Sequence, residues 1–319
     1  MPFRISLPEG LLDMFARFHS AAAALFCSSL LLLGCSASNA EKKAETTPKA
    51  VLWKIEKASA APSWVLATVQ TPDGHNVEFK PEVEPALLGS KYIGTEFFSD
   101  MQSSIELAQA MVSKEATLEK QLGAERYAKV SVLLASRGYP AAVSAKLHPW
   151  AATMLLFSPS AGKENVPMDE YVFQYATETN KPYFALETIE QQLNPFKSIS
   201  PERQLILIDA FIEHHTALEN AHKKNMAAYI ASDLNQIDPY AQFETIALAK
   251  AEQAWFKEWR TNLKANRNKV LVERLKTPLG KGESFFTIGA AQLTGEDGLL
   301  NSLRAAGYTV NPVKAEAKK

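Results

Sequence analysis

Short apolar runs rich in β-branched and aromatic residues alternate along the chain with long stretches of helical spacing. Six runs predict strands: "AVLWKIE" (50–56), "SWVLATV" (63–69), "YIGTEFF" (92–98), "PYFAL" (182–186), "SFFTI" (284–288) and "YTVNPV" (308–313). Each is bounded by turn-forming Gly, Pro or Ser. Between them, Leu205, Ile208 and Ile212, then Leu218, Met226 and Ile230, recur at the intervals of one helix. Pro239 separates it from a second helix over roughly 240–264, whose Phe243, Trp255 and Trp259 read as packing between helices. Strands alternating with long helices predict an α/β fold with parallel pairing through helical crossovers. The helix-rich stretch at about 198–278 reads as an insertion over one edge of the sheet. No Pro/Gly-rich linker divides residues 51–314, so one domain is expected, followed by a charged tail at 315–319.

The N-terminus changes the picture from a bare domain to an exported one. "AAAALFCSSLLLLGC" is too short to span a membrane comfortably, follows Arg17 and ends in small residues. Leu32-Leu33-Gly34-Cys35 resembles a bacterial lipobox, which implies a signal peptide over 1–34, cleavage before Cys35 and acylation there. An ordinary secretory signal is the plain alternative. Ser36 resembles the outer-membrane sorting pattern, so the expected location is lipid-anchored on the periplasmic face of the outer membrane. Residues 35–50, "CSASNAEKKAETTPKA", are small, polar and charged, as a flexible tether requires. Cys27 and Cys35 are the only cysteines, so the mature domain beyond the anchor has no thiol for a disulfide, metal site or nucleophile. Net charge is −1 with both signs interspersed, which argues against a nucleic-acid partner.

The candidate chemistry lies at two strand ends. "WVLATVQ" and "FFTIGAAQ" both run from an apolar strand into small-x-x-Gln, which places Gln70 and Gln292 just past the strands. Open α/β sheets keep their ligand crevices there. Two amides tying down loops is the plain reading.

Four ordered stretches, "SWVLATVQTP", "YFALETIEQQ", "RNKVLVERL" and "FFTIGAAQLTGEDGLLNSLRAAGYTVNPV", resemble the TraB/GumN family, which includes the TIKI proteases. The resemblance implies a mixed sheet related to the erythromycin-esterase and ChaN-like proteins. It also implies a metal-dependent hydrolytic site with two Gly-x-x-His motifs and an acidic residue on a neighbouring strand. Carried over by position, the acid is Glu96, the "LET" glutamate is Glu187 with Gln191 behind it, and the Arg-Asn pair is Arg267 and Asn268. Gly289, Gly295, Asp297 and Gly298 match the final turn, while Gln70 and Gln292 stand where the family keeps histidines, with Ala67 in place of a glycine.

A glutamine oxygen is a weaker, harder ligand than imidazole and suits calcium or magnesium. Two amides with Glu96 and Glu187 could hold a divalent cation weakly, but they poorly lower the pKa of a bound water. No cofactor is therefore expected, and the leading reading is a degenerate hydrolase that binds a peptide or envelope protein. The alternative is an active hydrolase using a hard cation or altered ligands, with Glu96, Glu187 and Arg267 as its catalytic candidates. Each has a plain reading as well: Glu96 facing solvent at a sheet edge, Glu187 capping the helix "TIEQQL", Arg267 on a helix surface. His215, Glu219 and His222 share a helix face but read as solvated, His148 as a helix start, and His75 as a turn residue. A Cys35→Ala variant is expected to lose acylation, either staying uncleaved or being released in soluble form. Palmitate labelling that survives the substitution would dismiss the anchor.

Overall fold

The computed structural model describes residues 47–58, 60–70, 79–97, 100–115, 117–160 and 167–314. Cys27, Cys35, His75, most of the tether and the charged tail lie outside them.

All six predicted strands are present: β1 (Leu52–Glu56), β2 (Ser63–Thr68), β3 (Tyr92–Thr95), β4 (Tyr183–Ala185), β5 (Ser284–Gly289) and β6 (Thr309–Val313). They form one sheet in the order β4-β3-β5-β2-β1-β6. The predicted parallel pairing holds for β4, β3, β5 and β2, whereas β1 runs antiparallel to both β2 and β6. Only six residues, Lys57 to Pro62, join β1 to β2, too few for a crossover, so a hairpin-like reversal is forced. β6 lies at an edge, where Pro312 removes a donor without breaking an inner ladder.

The helices form a second layer larger than the predicted insertion. In chain order they are α1 (Val83–Gly89), α2 (Met101–Met111), α3 (Thr117–Leu122), α4 (Ala124–Ala135), α5 (Ala141–Ser144) and α6 (Pro149–Leu156). There follow α7 (Met168–Glu178), α8 (Ile189–Lys197), α9 (Pro201–Ile230), α10 (Pro239–Ala247), α11 (Lys250–Lys281), α12 (Ala290–Leu293) and α13 (Leu299–Ala305). The helix expected over 240–264 is two. Leu248 adopts an extended backbone, φ −99° and ψ 134°, and Gln253 donates its amide to the carbonyls of Glu244 and Leu248. That amide satisfies backbone acceptors at the end of α10. His148 starts α6 as expected, with Pro149 at the first turn. Ile230, expected on a core stripe, is 63% exposed at the last turn of α9.

Two apolar clusters follow from this division. One joins α2–α4 and α6 to α8–α10 and the first half of α11, the other the sheet to α1, α7, α12, α13 and the second half of α11. Helix α11, 32 residues and about 48 Å long, sends Phe256 and Leu263 to the first and Leu271, Leu275 and Leu279 to the second. The tether's end is docked rather than free. Asn235 exchanges two hydrogen bonds with the Thr47 backbone, and Lys49 pairs with Asp233 at 2.9 Å.

Phe157, 4% exposed, sits at the middle of the helical cluster with its ring against Phe196, Phe211, Tyr240, Phe243 and Phe256. Phe157→Ala is expected to lower stability by about 3–5 kcal/mol, read from denaturant unfolding at unchanged m-value. A loss below about 0.5 kcal/mol, the range of surface changes, would show that the ring cluster does not hold this layer together.

Candidate functional site

The four parallel strands end at one edge of the sheet, with Thr68 in register with Gly289 and Thr95 with Ala185. Glu96 follows β3 directly, Glu187 follows β4 by two residues, and Gln70 and Gln292 follow β2 and β5. All four expected positions therefore reach the carboxyl end of the sheet, where open α/β sheets build their sites.

Their side chains do not all meet. Glu96 and Glu187 converge on Arg267, near the middle of α11. Arg267 Nε donates to Glu187 Oε1 at 2.8 Å, its Nη2 donates to Glu187 Oε2, and the same Nη2 lies 3.3 Å from Glu96 Oε1. The three side chains are 4%, 1% and 2% exposed respectively, with Arg267 first, Glu187 next and Glu96 last. The solvent-facing reading of Glu96 and the surface reading of Arg267 are thereby overturned: the pairing draws both inside. Helix α8 is capped by Thr188 and Gln191 in a reciprocal capping box, so Glu187 is not its cap.

Electrostatics explain how one cation serves two acids. Burial pushes the Glu96 carboxyl up to about 8, against the pull of Arg267, with Glu187 and Asp169 adding repulsion and the Gly289 N–H opposing it. Burial likewise raises Asp169 to about 6, while the hydroxyls of Thr287 and Thr68 draw it down. Asp169, on α7, went unnoticed in the sequence. It lies 3.4 Å from Thr68 Oγ1 under the end of β2. The local "MDEY" reads as an ordinary acidic first turn of a helix, so no signal marked it.

Gln292 is fully buried and is bound elsewhere. Its Nε2 donates to the Lys264 carbonyl at 3.2 Å and to Asn268 Oδ1 at 2.6 Å. Asn268 in turn donates to the Asp297 carbonyl, and Lys264 to that of Thr294. Gln292, Asn268 and Lys264 thus stitch the final turn to α11, which is the loop-tying role of an amide. Asp297 contributes its backbone, and its side chain is exposed. Gly295 has φ +85°, the left-handed region glycine favours. Gly298 allows the close approach of Leu293 and Thr294, whose carbonyls would lie 2.3 and 2.4 Å from any Cβ there.

Gln70 faces a separate small cavity of about 40 Å³, shared with His222, Asn225, Thr68 and the Gly289–Ala291 backbone. Burial lowers His222 to about 4, although Glu219 pulls upward, so its imidazole is neutral near pH 7. Glu219 bonds Arg137 and Ser160, and His215 is exposed with its ring nitrogens on Ile212 and Thr216. The shared face of His215, Glu219 and His222 is thus divided among unrelated partners. On the other side of Arg267, a larger groove of about 540 Å³ opens between α8 and α11. Glu187 and Arg267 form part of its lining, with Gln191, Asn194, Asn262 and Asn266.

A family model described as TraB/PrgY/gumN matches residues 51–312, nearly the whole described fold. The chain belongs to that family. Curated proteins and solved structures yield no match. The residues of this TraB/PrgY/gumN chain do not fit the imidazole-bound metal that the resemblance implies. Arg267 binds both carboxylates, a glutamine stands at each histidine position, and among the described residues no three His, Cys, Asp or Glu side chains are grouped to hold a metal.

The Glu96 shift gives a signed pH dependence. Its folded pKa of about 8 lies above the ordinary 4.5, so its contribution is fully present below pH 4.5 and is lost as pH rises through about 8. Glu96→Gln, which keeps the shape without a titrating proton, should flatten the stability profile across that window. Equal slopes for wild type and variant, from denaturant midpoints at several pH values, would show that Glu96 titrates as an ordinary exposed acid.

Proposed function

We propose that this protein is a cell-envelope lipoprotein that binds a peptide or a protein segment rather than hydrolysing it. Arg267 carries this reading. A guanidinium seated between the two acidic positions neutralises them with a fixed positive charge, in the place where a metal-assisted site needs a metal and a bound water. With Glu96 holding a proton near neutrality, Glu187 and Arg267 form one neutral pair, which has little net charge to attract a divalent cation. The apolar leader ending in Cys35 supports export and lipid attachment, with the domain then held at the periplasmic face of the outer membrane. The α8/α11 groove, rather than the 40 Å³ cavity at Gln70, falls in the size range of about 300–1,000 Å³ usual for ligand sites.

The test compares metal and turnover in one preparation. Purified untagged protein is expected to hold no stoichiometric Mn, Co, Zn, Ca or Mg, to show no metal-dependent rise in melting temperature, and to cleave no peptide. A ligand bound only by the native state would raise that temperature by mass action. Stoichiometric metal with peptide cleavage abolished by Glu96→Gln would establish the hydrolase instead.

A further inference from the structure

The α8/α11 groove has a lining whose chemistry is more specific than its size. Its α11 wall presents Trp259, Leu263, Asn266 and Val270 along one face, with Asn262 beside them. Its α8 wall presents Gln191, Asn194 and Ser198. Two ties hold the walls apart at a fixed spacing. Trp259 Nε1 donates to the Pro195 carbonyl at 3.0 Å, and Arg267 binds Glu187 at the floor. A third bond, from Arg274 to the Leu186 carbonyl at 2.8 Å, pins the chain entering α8.

No free charge lines the groove, because Glu187 and Arg267 are spent on each other. What remains is carboxamides over an apolar strip. Asn262 and Asn266 are exposed and make no side-chain bond to other described residues. Gln191 accepts the Thr188 N–H through Oε1, which leaves its Nε2 as a donor. Asn194 gives its Nδ2 to Glu190 at 3.4 Å, which leaves Oδ1 as an acceptor. The α8 wall thus offers one donor and one acceptor, the complement of the C=O and N–H that a residue of an extended chain turns to one side. On the α11 wall, Asn262 and Asn266 are one helical turn apart, about 6 Å along the axis. An extended chain repeats its same-side backbone groups every second residue, about 6.6–6.8 Å.

Resting on the binding reading above, we infer that this groove grips the main chain of an extended, uncharged peptide segment between the carboxamides of α8 and α11. The apolar strip of Trp259, Leu263 and Val270 lies beneath it. Recognition of this kind depends on backbone hydrogen bonds and tolerates changes of side chain, as strand-type peptide recognition does elsewhere.

The full-length protein, purified in detergent, would be titrated with acetyl-(Ala-Thr)₃-amide while the side-chain amides of Asn262 and Asn266 and the Trp259 indole are followed by NMR. Saturable shifts confined to these groups are expected. N-methylation of alternate residues should weaken binding at least tenfold, because it removes the donors, whereas acetyl-(Ser-Val)₃-amide should bind within about threefold. Asn262→Ala with Asn266→Ala should also lose at least tenfold, with an unchanged melting temperature. If N-methylated and unmodified peptides bind alike, main-chain recognition is wrong although peptide binding stands. If neither hexapeptide saturates, or cellotetraose shifts the same signals while the peptides do not, the peptide assignment of the groove is wrong as well.

Discussion

Arg267 lies where the two cores of the molecule meet. Four residues before it on α11, Leu263 packs into the helical layer, and four after it, Leu271 packs against the sheet. The guanidinium at that junction binds the residue after β3 and the residue two past β4. One side chain therefore fixes the position of a long helix relative to two strand ends. Taking a cation and two carboxylates out of water costs several kcal/mol per ion, and only close, well-directed pairing offsets it. The proton on Glu96 lowers that cost, since it leaves one positive and one negative charge face to face.

This arrangement divides the sheet edge. Glu96 stands next to Gly289, where an added methyl would lie 3.6 Å from Glu96 Oε2, and Gly289 lines the small cavity at Gln70. Glu187 and Arg267 line the groove on the other side. The buried triad thus runs from one hollow to the other. A cavity of about 40 Å³ exceeds the roughly 10–15 Å³ a single water needs, and it is far below the size of a typical ligand site. The space that could hold a chain segment lies along the helices.

The strands were legible because each is a brief β-branched or aromatic run between turn residues, and that local signal survives whatever packs above it. Much of the helical layer was not. In α6 all eight residues from Pro149 to Leu156 are buried, so no polar face marks a helical period. The break between α10 and α11 carries neither glycine nor proline, and the Gln253 side chain that caps it looks like any exposed helix glutamine. Arg267 was legible as a candidate through the aligned Arg-Asn pair. Its partners lie 80 and 171 residues away, a separation that periodicity does not report.

The paired glutamines show a sharper limit. The repeated small-x-x-Gln pattern correctly placed both residues past the ends of neighbouring parallel strands. Side-chain direction depends on what the backbone does next, and there the two differ. After β5 the chain turns at once into α12, which swings Gln292 onto the backbone of α11. After β2, Val69 and Gln70 form no helix, and Gln70 lines the small cavity together with His222 and Asn225. Thr68 and Gly289 are register partners, so Gln70 lies two residues past its strand and Gln292 three, and the shared sequence pattern conceals that offset. A site that needs both side chains on one ligand requires them to converge, and here the Gln292 amide is bound to α11 while Gln70 lines the small cavity.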